Sequence, residues 1–253
     1  KVLNAGPGDS GPRIGVITLP GFYEDFQGRR SGDKDYRSAS RDVARLIDEL
    51  KAEKVDGLIL DLRNNGGGSL REAVELTGLF IDTGPVVQQR RADGKIEVES
   101  DEKAGTAWDG PMAVMINRGS ASASEILAAA LQDYGRAVIV GETSFGKGTV
   151  QSLINLDQIA RSDTPRYGEL KMTIAQFFRV NGGTTQLRGV SPDIRFPSAF
   201  DDDEFGETAF DNALPWREIA AATYQADDAV RNILPDLQRR HGTRVKDDKA
   251  FKA

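Results

Sequence analysis

Residues 117–151 read NRGSASASEILAAALQDYGRAVIVGETSFGKGTVQ, and their pattern predicts a helix, a strand and a loop in that order. The alternating serines of residues 120–125 precede residues 126–131, a run of strong helix formers. Residues 137–140 are apolar and predict a buried strand. Lys147 follows between two glycines, so a helix start rich in hydroxyl groups and a lone lysine lie in one short segment.

The serines have a structural and a chemical interpretation. A serine at a helix start usually caps the helix by accepting a hydrogen bond from an unpaired backbone N–H, and this role fits Ser120 or Ser124. Three alternating serines are more than a cap needs. A serine on the first turn also lies in the positive field of the helix N-terminus, where an oxyanion is favoured.

Most of the chemistries that could use this segment lack a residue that they need. A phosphate-binding loop would span Gly141 to Lys147, but Gly148 stands where the metal-binding hydroxyl should follow the lysine. A Ser-His-Asp hydrolase needs an imidazole, and the single histidine, His241, lies in a charged stretch near the end of the chain. The chain has no cysteine, which excludes a thiol nucleophile. A serine activated by a lysine remains.

The serine motif of residues 120–125, followed by Phe-Gly-Lys-Gly-Thr-Val-Gln at residues 145–151, resembles the C-terminal processing peptidases, a family of serine-lysine peptidases. The resemblance covers most of the chain, because it extends to four further motifs, at residues 14–23, 61–68, 189–194 and 210–216. Each motif alone is weak, but together they are highly specific.

The resemblance implies a catalytic set. The family's nucleophile falls on Ser122, its general base on Lys147, and the glutamine that orients the base on Gln151. The serine and the lysine are 25 positions apart, as in the family. The implied enzyme is a serine endopeptidase that forms an acyl-enzyme with proteins recognised by apolar C-terminal tails. It needs no cofactor and no metal.

The glycine-rich stretch of residues 66–68 follows a predicted strand and precedes a predicted helix. Such glycines form a tight turn, or they let the backbone approach a ligand closely. In the family a glycine of this run and the amide after the nucleophile form the oxyanion hole, which corresponds here to Gly67 or Gly68, with Ala123. Three nearby polar residues are expected to hold the shape of the loop by hydrogen bonds: Asp61, Arg63 and Asn64.

The base must be neutral to accept a proton, and a free lysine has a pKa near 10.4. Reaching a pKa of roughly 7–8 requires a shift of about 3 units, or about 4 kcal/mol. Burial among apolar groups supplies such a shift. We expect Val140, Phe145 and Val150 to provide walls around Lys147, and we expect the carboxylate of Glu142 to point away from it.

The front of the chain predicts parallel strands. Residues 13–19 and 57–62 are apolar strand candidates, and residues 43–50 between them carry apolar side chains at helical spacing. A strand, a helix and a strand in this order favour a crossover and parallel pairing. Further predicted elements are a helix over 70–80, a hairpin of 85–90 and 95–99 around Asp93 and Gly94, and strands at 112–116 and 170–180.

Periodicity supports an α/β fold, and the resemblance implies a ClpP/crotonase-like spiral of ββα units with an appended C-terminal helical portion. We therefore predict a serine-lysine protease core over residues 1–200 and a C-terminal helical extension over residues 201–253, with short helices after Phe210. Family members typically carry a PDZ domain that captures substrate tails. No part of this chain resembles one, so we expect a fragment whose parent chain supplies the PDZ domain.

Composition fits a soluble enzyme. The chain has 253 residues, 39% of them hydrophobic, and a formal net charge of −6, which argues against a general nucleic-acid binder. No apolar run approaches the roughly 20 residues needed to span a bilayer, and no secretory signal opens the chain. The resemblance implies a periplasmic location, unfolded or tail-exposed proteins as substrates, and an adaptor protein as a partner.

Two alternatives stay open. The same scaffold could serve a catalytically inactive protein that holds peptide tails or small apolar ligands, and Phe22, Tyr23 and Phe26 could line such a groove or belong to the core. The fold could also support crotonase-like acyl chemistry, which uses the oxyanion hole but no serine-lysine pair. An intact Ser122, Lys147 and Gln151 weighs against the inactive protein.

Overall fold

The computed structural model describes residues 1–6, 11–198, 205–248 and 251, and within them the chain has a mixed α/β fold, which confirms the predicted class. The strands are β1 (Val2–Asn4), β2 (Arg13–Thr18), β3 (Gly57–Asp61), β4 (Gly84–Arg91), β5 (Ile96–Asp101), β6 (Met112–Ile116), β7 (Val138–Gly141), β8 (Thr149–Asn155), β9 (Glu169–Phe178) and β10 (Ile194–Arg195). The helices are α1 (Phe26–Arg30), α2 (Ala39–Ala52), α3 (Leu70–Thr77), α4 (Ala123–Asp133), α5 (Leu156–Ala160) and α6 (Ala229–Val245). The predicted domain boundary between residues 200 and 201 lies outside the described residues.

Six strands form the first sheet in the order β1-β2-β3-β6-β7-β10. β1 is antiparallel to β2, and all the other neighbours pair in parallel. The pairing of β2 with β3, in which Ile14 lies opposite Gly57, confirms the predicted crossover. Parallel strands end at the same edge of a sheet, so the loops that follow β2, β3, β6 and β7 converge there.

Helices α2, α3 and α4 pack side by side, with α3 in contact with both of the others. α2 buries Val43, Ile47 and Leu50, three of the residues whose spacing predicted it. α3 ends at Thr77, three residues before the predicted end, because Gly78 caps it. α4 is buried from Ala123 to Leu131, since it lies against α3, β4 and β7. Its alanines allow this close approach on several sides.

Four strands form a second, antiparallel sheet in the order β5-β4-β9-β8. The predicted hairpin of β4 and β5 is confirmed, and Gly94 takes the positive φ of 84° that its turn requires. β9 is buried where it meets β4, whereas its first six residues are exposed. The pairing of β8 with β9 shifts register between Val150 and Gln151, close to the start of β8 and three residues after Lys147.

The prediction of several short helices after Phe210 is wrong. Residues 210–228 form no helix, and one helix of 17 residues, α6, follows with Pro235 inside it. The reason is that the backbone of this segment bonds to the chain just after β9 instead. The Ile219 N–H donates to the Gly182 carbonyl, and the Ala222 N–H donates to the Val180 carbonyl. No helix in the described part of the chain has the length and apolar character needed to cross a membrane.

Candidate active site

The loops at the carboxyl edge of the first sheet bring together residues that are distant in sequence. The glycine loop, which we define as residues 63–69, follows β3, and the serine loop, residues 117–122, follows β6. The lysine loop, residues 142–148, follows β7. All three border a cavity of about 850 Å³ whose lining includes Gly68, Ser122 and Lys147. The parallel topology therefore gathers the three motifs that the sequence singled out.

Ser122 lies at the junction between the serine loop and α4, with a positive φ of 57°. A non-glycine residue in this region costs of order 1–3 kcal/mol, and such strain is concentrated at functional sites. The Ser122 N–H donates to Glu125 Oε2 at 2.8 Å, which holds the strained turn. The residue is only partly buried and borders the 850 Å³ cavity. The turn thus places Ser122 directly before the N-terminus of α4, at the edge of the cavity.

The other two serines of the motif have structural roles. Ser120 is fully buried, and its hydroxyl donates to the Leu62 carbonyl at 2.8 Å. Ser124 is also fully buried, and its hydroxyl donates to the Asn65 carbonyl at 2.8 Å. Ser120 thus ties the serine loop to Leu62, just before the glycine loop, and Ser124 ties the first turn of α4 to the glycine loop. Ser122 is the serine of the three that lines the cavity.

Lys147 extends into the same cavity and donates from Nζ to Gln151 Oε1 at 3.1 Å. Burial lowers the pKa of Lys147 from its ordinary value of 10.5, and the positive charge of Lys171 lowers it further. The carboxylates of Glu207 and Glu125 act in the opposite direction and more weakly. The Lys147 amine and the Ser122 hydroxyl line the same cavity, and among the described residues no hydrogen bond joins them.

Glu125 links the serine loop to the lysine loop, a role that the sequence interpretation missed. Its fully buried carboxylate accepts hydrogen bonds from the backbone of Ser122 at 2.8 Å, Gly146 at 2.7 Å and Lys147 at 3.0 Å. A fourth bond comes from the hydroxyl of Ser144 at 2.6 Å. Burial raises the pKa of Glu125 to about 7, and the four donors limit the rise. The signal was readable, because Ser-x-x-Glu before an apolar run is the pattern of a capping box.

The glycine loop distinguishes between the two predicted oxyanion donors. The Gly67 N–H is already used, because it donates to Asn65 Oδ1 at 2.9 Å. The N–H groups of Gly68 and Ala123 make no hydrogen bond to any described residue. A Cβ on Gly67 would lie 2.9 Å from Ser122 Cβ and 3.0 Å from the Ala123 nitrogen, so the loop passes directly beside the serine. Of the three residues predicted to form the oxyanion hole, Gly68 and Ala123 therefore keep an N–H without a partner among the described residues.

Asn65 holds the glycine loop in position, and the sequence analysis did not identify this role. It is fully buried, its Nδ2 donates to the Leu19 carbonyl at 2.8 Å, and its backbone carbonyl accepts from the Ala121 N–H at 3.0 Å. The three residues expected to shape this loop do form hydrogen bonds: Arg63 pairs with Asp61 at 2.7 Å, and Asn64 pairs with Asn117. Asn64 and Asn65 thus both reach the serine loop, at Asn117 and Ala121 respectively, and of the two only Asn65 is buried.

The aromatic residues after β2 divide between core and cavity. Phe22 is 1% exposed and belongs to the core, whereas Phe26 is 49% exposed and lines the 850 Å³ cavity. Tyr23 donates its hydroxyl to Asp42 at 2.6 Å, away from that cavity. Apolar side chains from α3 and α4 line the same cavity beside Ser122: Leu70, Val74 and Ile126. The groove interpretation thus fits Phe26 and not Phe22.

The surroundings of Lys147 match two of the three predicted walls. Val150 lines the large cavity with Lys147, and Phe145 lines a smaller cavity that Lys147 also borders. Val140 lies within β7 and lines neither of them. The carboxylate of Glu142 accepts from the Arg118 N–H at 3.4 Å, and its charge is not among those that shift the pKa of Lys147. It points away from the amine, as expected.

The described residues contain no cluster of His, Cys, Asp and Glu that could hold a metal ion. His241 stacks on Phe196 with ring centroids 5.6 Å apart, and it lies edge to face with Phe251 at 5.3 Å. It lines neither the 850 Å³ cavity nor the smaller one beside Phe145. A serine-histidine pair is therefore not formed with Ser122.

Comparison with known families identifies the family of this chain without using the structure. Residues 13–196 match the sequence model described as peptidase family S41. Residues 200–253 match the model described as the C-terminal domain of tail specific protease. The two matches adjoin between residues 196 and 200.

Two individual relatives and one solved structure that resemble this chain are also named as proteases or peptidases. The chain is 45% identical to the Tail-specific protease of Haemophilus influenzae over 247 residues, which is 96% of this chain and 34% of that protein. It is 33% identical to the chloroplastic Carboxyl-terminal-processing peptidase 2 of Arabidopsis thaliana over 207 residues, or 79% of this chain and 35% of that protein. The solved structure of a photosystem II D1 C-terminal processing protease superposes with a TM-score of 0.60 and 29% identity, covering 79% of this chain and 45% of that one. The chain thus spans about a third of the length of these two curated relatives.

Proposed function

Because this chain belongs to peptidase family S41, we propose that it is the catalytic core of a serine endopeptidase that uses Ser122 as nucleophile and Lys147 as general base. The observation that carries the proposal is the environment of Lys147. Its amine is held by a neutral amide, Gln151, and burial lowers its pKa, in the cavity onto which the strained Ser122 opens. A lysine that loses its proton more readily than usual, beside an accessible serine, suits proton abstraction.

In the proposed reaction, neutral Lys147 takes the proton of the Ser122 hydroxyl as the oxygen attacks a peptide carbonyl. The Lys147 ammonium then returns that proton to the leaving amine nitrogen, and the C–N bond breaks to leave an acyl ester on Ser122. A water molecule hydrolyses the ester by the same proton route and restores both groups. Catalytic hydrogen bonds often shorten only when substrate is bound, so the lack of a Ser122–Lys147 hydrogen bond among the described residues is compatible with these reaction steps.

The developing oxyanion needs donors that are not already in use. We propose that the N–H groups of Gly68 and Ala123 supply them, since the Gly67 N–H is occupied by Asn65. Ala123 is the first residue of α4, so its N–H also carries the positive end of the helix dipole. In this arrangement Gly67 contributes close packing against Ser122 rather than a hydrogen bond.

The proposed substrates are polypeptides with apolar C-terminal tails. The apolar wall of Leu70, Val74 and Ile126 beside Ser122 favours an apolar side chain next to the scissile carbonyl. Two relatives are named for tail specificity or carboxyl-terminal processing, which supports the same substrate class. For the whole protein we propose a periplasmic location, a PDZ domain elsewhere in the parent chain that captures the tail, and an adaptor protein that delivers substrates.

Incubation with an unfolded protein that ends in an apolar tail tests the proposal. The wild-type chain should release fragments, whereas Ser122→Ala and Lys147→Ala should reduce cleavage at least about a thousandfold, because each removes one half of a unit that acts together. Ser31→Ala is the control and should keep wild-type cleavage, because the Ser31 hydroxyl is exposed, bonds to the Gly28 carbonyl and lies outside the 850 Å³ cavity. Wild-type cleavage that persists in Ser122→Ala would refute the assignment.

The two alternatives predict different results in the same experiment. A catalytically inactive binding protein would bind the tail without releasing fragments, and Ser122→Ala would bind it equally well. Crotonase-like acyl chemistry would tolerate Lys147→Ala, since it relies on the oxyanion donors. The Lys147–Gln151 hydrogen bond and the lowered pKa of the lysine favour the peptidase over both.

A further inference from the structure

A second cavity borders Lys147, and its lining includes no residue of the glycine loop. Its volume is about 360 Å³, and it shares Lys147, Thr149 and Gln151 with the larger cavity. The remaining wall comes largely from the segment that precedes α6, which we define as the C-terminal strap, residues 205–216. From this strap Phe210 and Leu214 line the cavity. The two cavities therefore share part of their walls, including Lys147.

The C-terminal strap is held firmly against the lysine loop at its start. The Glu207 N–H donates to the Phe145 carbonyl at 3.0 Å, and the rings of Phe145 and Phe205 meet edge to face with centroids 5.9 Å apart. Gln186 joins the two segments, because its Oε1 accepts from the Gly148 N–H at 2.8 Å while its Nε2 donates to Glu207 at 2.9 Å. This wall is therefore fixed relative to Lys147.

The end of the strap is fixed as well. The Trp216 indole N–H donates to the Thr184 carbonyl at 2.9 Å, and the guanidinium of Arg188 lies 3.8 Å from the centroid of the indole ring. Between these two anchors, Phe210 is 55% exposed and Leu214 is 41% exposed. Two large apolar side chains thus remain open to solvent on a segment that is anchored at both ends, beside a catalytic group.

The proposed reaction determines which part of the substrate lies beside Lys147 in the smaller cavity. Lys147 must return its proton to the leaving amine, so that nitrogen has to come within hydrogen-bond distance of Nζ. The acyl side of the substrate is held next to Ser122, Gly68 and Ala123 in the large cavity. The polypeptide on the leaving side must then continue past Lys147. The 360 Å³ cavity borders Lys147 and has no residue of the glycine loop in its lining, so it is the space that suits the leaving side.

We propose that the C-terminal strap forms the subsite for the first residue on the leaving side of the scissile bond, and that Phe210 and Leu214 give it a preference for apolar side chains. The inference rests on the proposed peptidase function. The occupant is the substrate polypeptide, because the cavity shares Lys147, Thr149 and Gln151 with the catalytic cavity. An apolar residue bound there covers exposed surface of both side chains, which provides the binding energy.

Paired peptides test this subsite. The two peptides share an apolar tail and the acyl side, and they differ only in the residue after the scissile bond, which is leucine in one and serine in the other. Mass spectrometry confirms that both are cut at that bond. Wild-type protein should show a kcat/KM for the leucine peptide roughly tenfold above that for the serine peptide. Phe210→Ala and Leu214→Ala should each bring this ratio towards one.

Ile233→Ala is the matched control, because Ile233 is also an exposed apolar residue of the C-terminal portion, at 51%, and lies on α6 outside both cavities. It should leave the ratio unchanged. A binding measurement separates substrate recognition from chemistry: Ser122→Ala protein should bind the uncleaved leucine peptide more tightly than the double variant that also carries Phe210→Ala.

The possible failures can be told apart. If the wild-type chain cleaves both peptides and the strap variants keep its ratio, the subsite is overturned while the peptidase function stands. If the strap variants instead change the molecular mass by light scattering at an unchanged ratio, the apolar surface holds a second copy of the chain, and the proposal is equally overturned. If wild-type protein cleaves neither peptide nor the unfolded protein, the proposed function itself fails.

Discussion

The backbone N–H of Lys147 donates a hydrogen bond of 3.0 Å to the carboxylate of Glu125, on the first turn of helix α4. The same Oε2 atom accepts from the N–H of Ser122 at 2.8 Å. One buried carboxylate oxygen thereby fixes the backbones of both proposed catalytic residues, although 25 positions separate them. The relative position of nucleophile and base thus depends on a third residue that takes no direct part in the chemistry.

We predict that Glu125→Gln destabilises the fold and lowers activity. An amide keeps one oxygen, so its NH₂ group would face two of the N–H donors, and buried donors left without acceptors cost about 1–3 kcal/mol each. Unfolding in urea at pH 8 should show a loss of about 2–4 kcal/mol. The control is Glu49→Gln, which removes an exposed ion pair with Arg45 and should change stability by less than about 1 kcal/mol. Equal stabilities of the two variants would contradict the role of Glu125.

The charge of Lys171 predicts a pH effect on activity. Neutral Lys147 is the active form, so kcat/KM should rise with pH as the ammonium loses its proton. Burial lowers the pKa of Lys147 below 10.5, and Lys171 lowers it further because two ammonium groups repel. Removing that positive charge raises the pKa, so Lys171→Gln should move the rise to higher pH.

Lys171→Arg keeps the charge and should keep the wild-type profile. Glu207 and Glu125 are the carboxylates whose charges reach Lys147, and both are present in either variant. Comparing Lys171→Gln with Lys171→Arg therefore isolates the effect of the positive charge at residue 171. The expectation fails if the pH–rate profiles of Lys171→Gln and the wild type coincide.

We predict that Gln151→Glu reduces activity near neutral pH. A carboxylate in place of the amide oxygen, which lies 3.1 Å from Nζ, would stabilise the Lys147 ammonium. An opposite charge at this distance shifts a pKa by about 1–3 units, so the neutral fraction of lysine should fall about 10- to 1,000-fold. Activity should recover as the pH rises. Gln151→Met, which removes the hydrogen bond without adding charge, should lower kcat/KM and leave the position of the pH profile in place.

We predict that Asn65→Ala disturbs the site through the glycine loop. The buried side chain bonds to the Gly67 N–H and the Leu19 carbonyl, and both partners would lose their hydrogen bonds. The free energy of unfolding should fall by about 2–4 kcal/mol. The freed Gly67 N–H should also loosen the turn beside Ser122, so kcat should fall more than KM changes.

Asn64→Gly is the control for Asn65. Asn64 is exposed and has a positive φ of 60°, which glycine adopts without strain. This variant loses only an exposed hydrogen bond with Asn117, so its stability should change by less than about 1 kcal/mol. A larger loss in Asn64→Gly than in Asn65→Ala would show that the outer part of the loop, and not Asn65, holds its shape.

Local patterns predicted most of the fold. The apolar spacing of residues 43–50 identified α2, and the Asp93-Gly94 pair identified the turn between β4 and β5. Both signals are short-range, because helix amphipathicity and turn chemistry are set within about ten residues. The segment after Phe210 was predicted wrongly for the opposite reason: its backbone groups bond to residues 180–184, and no local pattern reports such pairing.

The sequence by itself determined which reactive groups exist: one serine-rich helix start, one glycine-flanked lysine, a single histidine and no cysteine. It also determined their order along parallel strands, whose carboxyl ends had to meet. Only the tertiary structure decided which groups are available. Asn65 occupies the N–H of Gly67 and leaves that of Gly68 without a partner among the described residues, and burial lowers the pKa of Lys147. Hydrogen-bond occupancy and desolvation depend on neighbours that are distant in the chain, so they exist only once the loops have packed together.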